Sequence, residues 1–241
     1  MKSISHGPAG TSEHARLIHL TSNAAHELRT PLAGLRVRLE EALLYPDDTD
    51  PQAAITDALR SVERLEAIVA DLLLLEKLRT GQAPSAELVD LTALVTAETA
   101  RECHAHISMH VVAESGVRVR GVAVLLPRLV CNLLDSAVRN ARTTVEVTLC
   151  SHGGQAVLTV TADGNGIPAA DRERVFECFS RPDTARNRSG GGTGLGLSLA
   201  KNIATIHGGS LVLQDGAGGG FVLQLPLERP EIEYVEDEAL A

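Results

Sequence analysis

The run His26-Glu27-Leu28-Arg29-Thr30-Pro31-Leu32 sets a nucleophile, a base and a hydroxyl close together in the chain. On a helix, His26 and Thr30 are one turn apart and share a face, with Glu27 beside the histidine. A neutral imidazole nitrogen can attack a phosphorus atom. A carboxylate near the other ring nitrogen orients the ring and takes up the proton as positive charge develops. Thr30 is placed to hold a water or a phosphoryl oxygen near the same nitrogen. Pro31 removes a backbone donor inside the helix, which frees a carbonyl near residue 27 and predicts a bend.

A second group of residues suits phosphate. Gly192, Gly194 and Gly196 precede a helical pattern, so the backbone can approach phosphate oxygens closely where helix N-terminal amides attract anions. The stretch Ser180–Gly192 holds Arg181, Arg186 and Arg188 among glycines and serines, and suits a mobile lid over phosphates. A third group, Cys103, His104, His106 and His110, is readable as a metal site or as a helix end with polar imidazoles outside. Its spacing fits no standard ligand pattern. The cysteines at 103, 131, 150 and 178 form no C-x-x-C pair, which argues against a disulfide framework and suits a reducing cytosol.

The elements that must position these groups read as follows. Residues 1–11 are a flexible lead-in. A helix is predicted from about Ser12 to Leu44, with Leu17, Leu20, Ala24, Leu28, Leu35 and Leu39 as a buried stripe. Tyr45–Pro51 is a turn with two prolines and three aspartates. A second helix follows from about Gln52 to Arg79, its stripe being Ile55, Leu59, Val62, Leu65, Val69, Leu72 and Leu75. One hairpin cannot enclose a core, so pairing two of them in a homodimeric four-helix bundle is expected, the alternative being packing on the chain's own C-terminal part.

After the linker Thr80–Ser85 the texture changes. Strands are predicted at Glu87–Leu91, Ile107–Val112, Val117–Arg120, Thr144–Leu149, Ala156–Thr161 and Phe221–Leu225. Helices are predicted near Thr92–Ala105, Val122–Ala141 and Leu197–His207, and a glycine-turn hairpin around Ser151–Gly154. This is an α+β pattern, with helices on one face of a largely antiparallel sheet. The tail at 229–241 is strongly acidic and reads as disordered.

The 241 residues allow one large domain or two small ones, and 44% hydrophobic with 22% charged residues can form a core. A net charge of −9 with 2% aromatics lacks the basic stripes and stacking rings of nucleic-acid binders. No apolar run approaches the roughly 18 residues of a membrane span, so a cytoplasmic chain without membrane contact of its own is expected, whether or not it is the soluble part of a membrane sensor.

The His26–Leu32 string is very similar to the H box of two-component histidine kinases. Asn132-Leu-Leu-Asp-Ser136-Ala-Val-Arg139-Asn140 resembles that family's N box, and Ala162-Asp163-Gly164-Asn165-Gly166-Ile167 its first glycine box. Phe176–Phe179 resembles the F box, and Gly192-Thr193-Gly194-Leu195-Gly196-Leu197 the second glycine box. Together they cover about residues 15 to 227 in family order. The resemblance implies a dimerisation and histidine phosphotransfer hairpin at 12–80 and a Bergerat-type ATP-binding domain at 86–228. It implies autophosphorylation of His26 from ATP, with Glu27 as base, and transfer to an aspartate on a response regulator receiver domain. Thr30 would assist a phosphatase activity. The implied nucleotide contacts are Asn132, Ser136, Arg139, Asp163, Gly164, Gly166, Ile167, Gly192, Thr193, Gly194, Leu195, Gly196 and Leu197. The implied Mg2+ ligands are Asn132 and Ser136.

Five positions depart from the pattern. The family's adenine-binding aspartate is matched by Ala162, with Asp163 one step off and expected to point to the opposite side. Ser136 stands at the magnesium-ligating asparagine. Gly219 and Gly220 replace threonines beside the adenine, and Cys178 replaces an arginine. These departures leave a second reading, a member with weak or absent ATP use acting as phosphotransfer, phosphatase or scaffold partner. A third, an ATP-driven clamp on the same nucleotide fold, is opposed by the H box.

Overall fold

The structure is a computed structural model. It describes residues 9–47, 50–81, 84–101, 106–172, 174–180, 193–214 and 220–228, the side chains of 9–23, 26, 27 and 79 excepted. Two compact units emerge, Met1–Gln82 with Pro168–Leu199, and Ala83–Ile167 with Ala200–Ala241.

In the first unit, α1 (Ala9–Leu44) and α2 (Pro51–Arg79) form the expected antiparallel hairpin. Asp50 caps α2 by accepting from the Gln52 amide at 3.0 Å, and Pro51 supplies a first helical residue whose missing N–H is no loss. Arg38 and Asp57 pair across the hairpin at 3.2 Å. The helix α1 passes through Pro31, whose missing donor leaves one carbonyl of the preceding turn without its helical partner.

In the single chain the apolar stripe of α2 is left partly uncovered, as one hairpin cannot enclose a core. Ile55 and Leu59 are 59% and 57% exposed, Val62 and Val69 are also exposed, and the buried positions are Ile68, Asp71 and Leu78. The physical reason is that two helices have no second layer to cover a stripe on their outer side.

The second unit is built on a five-stranded sheet of order β2-β4-β5-β7-β6, with β2 Ser108–Ala113, β4 Thr144–His152, β5 Gln155–Ala162, β6 Ser210–Gln214 and β7 Gly220–Pro226. Only β2 and β4 run parallel; the other three pairs are antiparallel. The strand β6 was not foreseen in the sequence, because Ser210–Gln214 is a short run between glycines. A separate two-stranded sheet joins β1 (Glu87–Asp90) to β3 (Arg118–Gly121). The β4–β5 hairpin turns at Gly153 and Gly154, both at positive φ, as the glycine signal indicated.

Alternation along β4, β5 and β7 buries Val145, Val147, Leu149, Leu158, Val160, Phe221 and Leu223. The helix α4 (Leu126–Asn140) packs on β4 and β5 and buries Leu126, Leu129, Val130, Leu133, Leu134 and Ala137. The helix α3 (Leu91–Arg101), capped where Asp90 accepts from the Ala93 amide at 2.9 Å, packs on α4 and β2. The helix α5 (Gly196–Ile206) ends at His207. That imidazole lies 2.7 Å from the Ile203 carbonyl through Nδ1 and accepts from the Val122 amide at 2.9 Å through Nε2, tying α5's end to the entry of α4.

Candidate functional site

His26 and Glu27 lie on α1 in the turn before Pro31, and their side chains fall outside the described residues. Thr30, one turn after His26, is exposed. The hairpin therefore carries the H-box string on a continuous helix, as its spacing indicated.

The second unit gathers the N-box and first-glycine-box residues. Asn132 and Ser136, one turn apart on α4, are 9% and 6% exposed. The Asn132 amide nitrogen is one of only two buried side-chain polar atoms without a hydrogen-bond partner among the described residues. Such atoms are rare because each costs the desolvation of a polar group, so this nitrogen is one that a water or a ligand acceptor would satisfy. Asn140, at the end of α4, donates from Nδ2 to the Ser136 carbonyl at 2.7 Å. Its own carbonyl lies so close to Gly164 that a Cβ there would sit 1.6 Å from the oxygen. Glycine at 164 is thus a requirement of close packing between the loop and the helix end. Gly166 adopts φ 71°, a left-handed turn that only glycine enters freely.

Asp163 is exposed and turned away from the interior, while Ala162 at the end of β5 is buried, which is the opposition that strand alternation called for. Both Asp163 oxygens are occupied. Oδ1 accepts from the Arg142 amide at 2.7 Å and the Thr143 amide at 3.1 Å. Oδ2 accepts from the Thr143 hydroxyl at 2.6 Å and amide at 3.1 Å. The Thr143 hydroxyl, then its amide, hold this carboxyl well below the ordinary carboxylate range. Asp163 is therefore engaged with protein donors. Arg139 is exposed and lies 3.9 Å from Asp135 on the same helix.

The described second-glycine-box residues, Thr193 to Leu197, fall in the first unit. Gly192 lies outside the described residues. The Thr193 hydroxyl accepts from the Leu195 amide at 3.3 Å, Gly194 turns at φ 72°, and its carbonyl accepts from the Phe179 amide at 2.8 Å. Leu195 is fully buried, which anchors the start of α5 at Gly196 and Leu197. Phe179 itself sits at φ 63°, an uncommon conformation for a bulky residue. The arginines 181, 186 and 188 lie outside the described residues.

The departures have local explanations in part. A Cβ at Gly220 would meet Thr161 Cγ2 at 2.7 Å, Gln214 Oε1 at 2.9 Å and the Val160 carbonyl at 3.2 Å, so a threonine there requires these neighbours to shift. Gly219 lies outside the described residues. Nothing in the structure explains Cys178. For Mg2+, a hard cation taking oxygen ligands, the Asn132 amide and the Ser136 hydroxyl are of a fitting type, and both are buried on one face of α4. His106 and His110 are exposed, Cys103 and His104 lie outside the described residues, and among the described residues no His, Cys, Asp and Glu cluster could hold a metal.

Sequence reading missed Asn140, Arg142 and Thr143 as partners of the glycine loop. They meet it across about 20 residues of chain, through the α4–β4 turn, so no local pattern announces them. Among the described residues no helix is long and apolar enough to cross a membrane.

Comparison with known proteins accords with this geometry. Residues 16–81 match the family described as His Kinase A (phospho-acceptor) domain. Residues 121–229 match the family described as Histidine kinase-, DNA gyrase B-, and HSP90-like ATPase. The sensor-like histidine kinase SenX3 of Mycolicibacterium smegmatis is 35% identical over 241 residues, which cover 94% of this chain and 62% of that protein. Sensor protein CutS of Streptomyces coelicolor is 39% identical over 213 residues, 85% of this chain and 51% of CutS. The chain thus spans about half to three fifths of the length of these relatives. The histidine kinase AdeS of Acinetobacter baumannii shares the fold, with a TM-score of 0.69 over 85% of this chain and 98% of that one at 23% identity. The mycobacterial sensor histidine kinase MprB gives 0.53 over 60% of this chain and 99% of that one, at 31% identity. A phospho-acceptor hairpin followed in one chain by a histidine-kinase-type ATPase region, with sensor kinases as relatives, places this protein in the two-component sensor histidine kinase family.

Proposed function

We propose that this chain is the catalytic core of a sensor kinase that phosphorylates His26 from ATP and passes the phosphoryl group to an aspartate of a response regulator receiver domain. The observation that carries the reading is the pairing of two parts in one chain. The H-box string lies on a continuous hairpin helix, and the glycine loop at Gly164 is closed down on the helix that bears the buried Asn132 and Ser136. In the first step an imidazole nitrogen of His26 forms a bond to the γ-phosphorus as the bond to the β-phosphate oxygen breaks and ADP leaves. Glu27 takes the proton from the other ring nitrogen. In the second, the N–P bond breaks, a receiver carboxylate oxygen accepts the phosphoryl group, and the ring regains its proton from Glu27 so that a neutral imidazole leaves.

The chain's own contribution to the nucleotide is positional. The Gly164–Ile167 turn and the buried face of α4 would contact it, and the resemblance assigns the phosphate contacts to Thr193, Gly194, Leu195, Gly196 and Leu197. Asn132 and Ser136 would hold Mg2+, which when bound neutralises charge developing on the phosphates. The exposed apolar residues of the hairpin, Leu43 at 82% and Ile55 at 59% among them, support a homodimer in which a second hairpin covers them.

The test is incubation with γ-labelled ATP and magnesium. Label that is acid-labile and base-stable, and vanishes in His26→Ala, is expected, as is its transfer to a receiver domain. Acid-stable label, or label undiminished in His26→Ala, overturns the reading.

A further inference from the structure

Three successive residues of the glycine loop engage the end of α4 and the turn after it. Asp163 takes the Arg142 and Thr143 amides and the Thr143 hydroxyl on its two oxygens, and its own amide donates to the Thr144 carbonyl at 3.1 Å. Gly164 lies against the Asn140 carbonyl with no room for a side chain. The Asn165 side-chain oxygen accepts from the Arg142 guanidinium. Asn140 in turn bonds back to the Ser136 carbonyl, so contacts run without a gap from the loop to the buried polar face of α4.

We infer that Asp163 is a positioning residue for the nucleotide site: its carboxylate clasps the Arg142–Thr143 turn and so fixes the Gly164–Ile167 loop against the helix carrying Asn132 and Ser136. An exposed carboxylate is ordinarily left to water, since ordering a side chain costs entropy that a surface contact seldom returns. Here four donor contacts converge on it, three of them from one residue, Thr143. A ligand reaching for Asp163 would have to break these bonds. The residue therefore acts through the loop and not on the base. This inference rests on reading the loop as part of an ATP site.

The experiment compares wild type, Asp163→Ala, Asp163→Asn and Thr143→Val in the full chain. It reads KM for ATP and kcat of His26 labelling, and amide hydrogen exchange of the ATP-free protein. Asp163→Ala is expected to raise KM about tenfold or more, with kcat within about threefold. Asp163→Asn, whose amide oxygen still accepts from the two backbone amides, is expected to recover most of the loss. Exchange over 141–144 and 163–167 is expected to quicken about tenfold in Asp163→Ala, and less in Thr143→Val, with the β4–β5–β7 amides unchanged. An unchanged KM, a fall in kcat alone, or no rescue by asparagine overturns the inference. Should wild type show no ATP-dependent label, the functional reading fails. The exchange measurement then still decides the clasp: unchanged exchange in Asp163→Ala sinks it, and in Thr143→Val should the alanine variant not fold.

Discussion

Gly164→Ala is expected to loosen the nucleotide loop, for a reason that can be worked in distances. The added Cβ would lie 1.6 Å from the Asn140 carbonyl oxygen and 2.8 Å from its carbon. Ordinary contact begins at 3.4 Å, so the surfaces must separate by about 1.8 Å. Both surfaces are backbone, and neither yields easily. One is the last turn of α4, held by Leu133 and Leu134, which are fully buried. The other is the loop, pinned by Asp163 bonds of 2.6 to 3.1 Å that a retreat of that size would break. Overpacking of this kind costs about 1–3 kcal/mol. At about 2–4 °C per kcal/mol for a protein of this size, Tm should fall by roughly 2–12 °C.

The same displacement moves the loop relative to Asn132 and Ser136. ATP affinity should drop about tenfold or more, the equivalent of about 1.4 kcal/mol. Differential scanning calorimetry and titration calorimetry with ATP read the two effects. Gly34, exposed on α1 with nothing within 4 Å of a Cβ, is the matched control. Alanine there should stabilise by about 0.5–1 kcal/mol through helix propensity. A Gly164→Ala protein that melts within about 1 °C of wild type and binds ATP within twofold would refute the packing argument.

Three further outcomes are expected. Ala162→Asp places a carboxylate at the buried end of β5, and one charge-assisted hydrogen bond to an adenine amino group should tighten ATP about 10- to 150-fold, read by titration against wild type. Glu114 accepts from the Ser151 hydroxyl at 2.5 Å and amide at 2.6 Å, which hold its carboxyl below the ordinary range. A depressed folded-state value means the stabilisation is present above the ordinary carboxylate range and fades as pH falls through the folded value. The Tm gap between wild type and Glu114→Gln should accordingly be widest near neutrality and close in acid. Leu59→Asp, at an exposed apolar position of α2, should shift the chain from dimer to monomer in sedimentation velocity while leaving ATP binding within about twofold.

The sequence by itself determined the parts. Period-3.6 stripes and the Pro–Asp turn at 45–51 announced the hairpin, and short-range alternation announced β4, β5 and β7. The Ser151–Gly154 turn was legible because two glycines at positive φ are a local demand. The H-box string and the glycine boxes were legible for the same reason: their chemistry is written in adjacent residues. The strand β6 escaped because five residues carry little pattern until β7 pairs with them.

What only the tertiary structure decided was partnership over distance. Asp163 read as a ligand contact, and the fold shows it turned onto Thr143, since a carboxylate takes whichever donors the α4–β4 turn brings within 3 Å. The stripe of α2 read as buried, and in one chain Ile55 and Leu59 face solvent, because a stripe states only what an element must cover and not what covers it. Gly164 entered as a nucleotide contact implied by the resemblance, and its nearest constraint in the fold is the Asn140 carbonyl. Adjacent residues fix chemistry and period; which backbone atoms meet across the fold depends on packing that no local window contains.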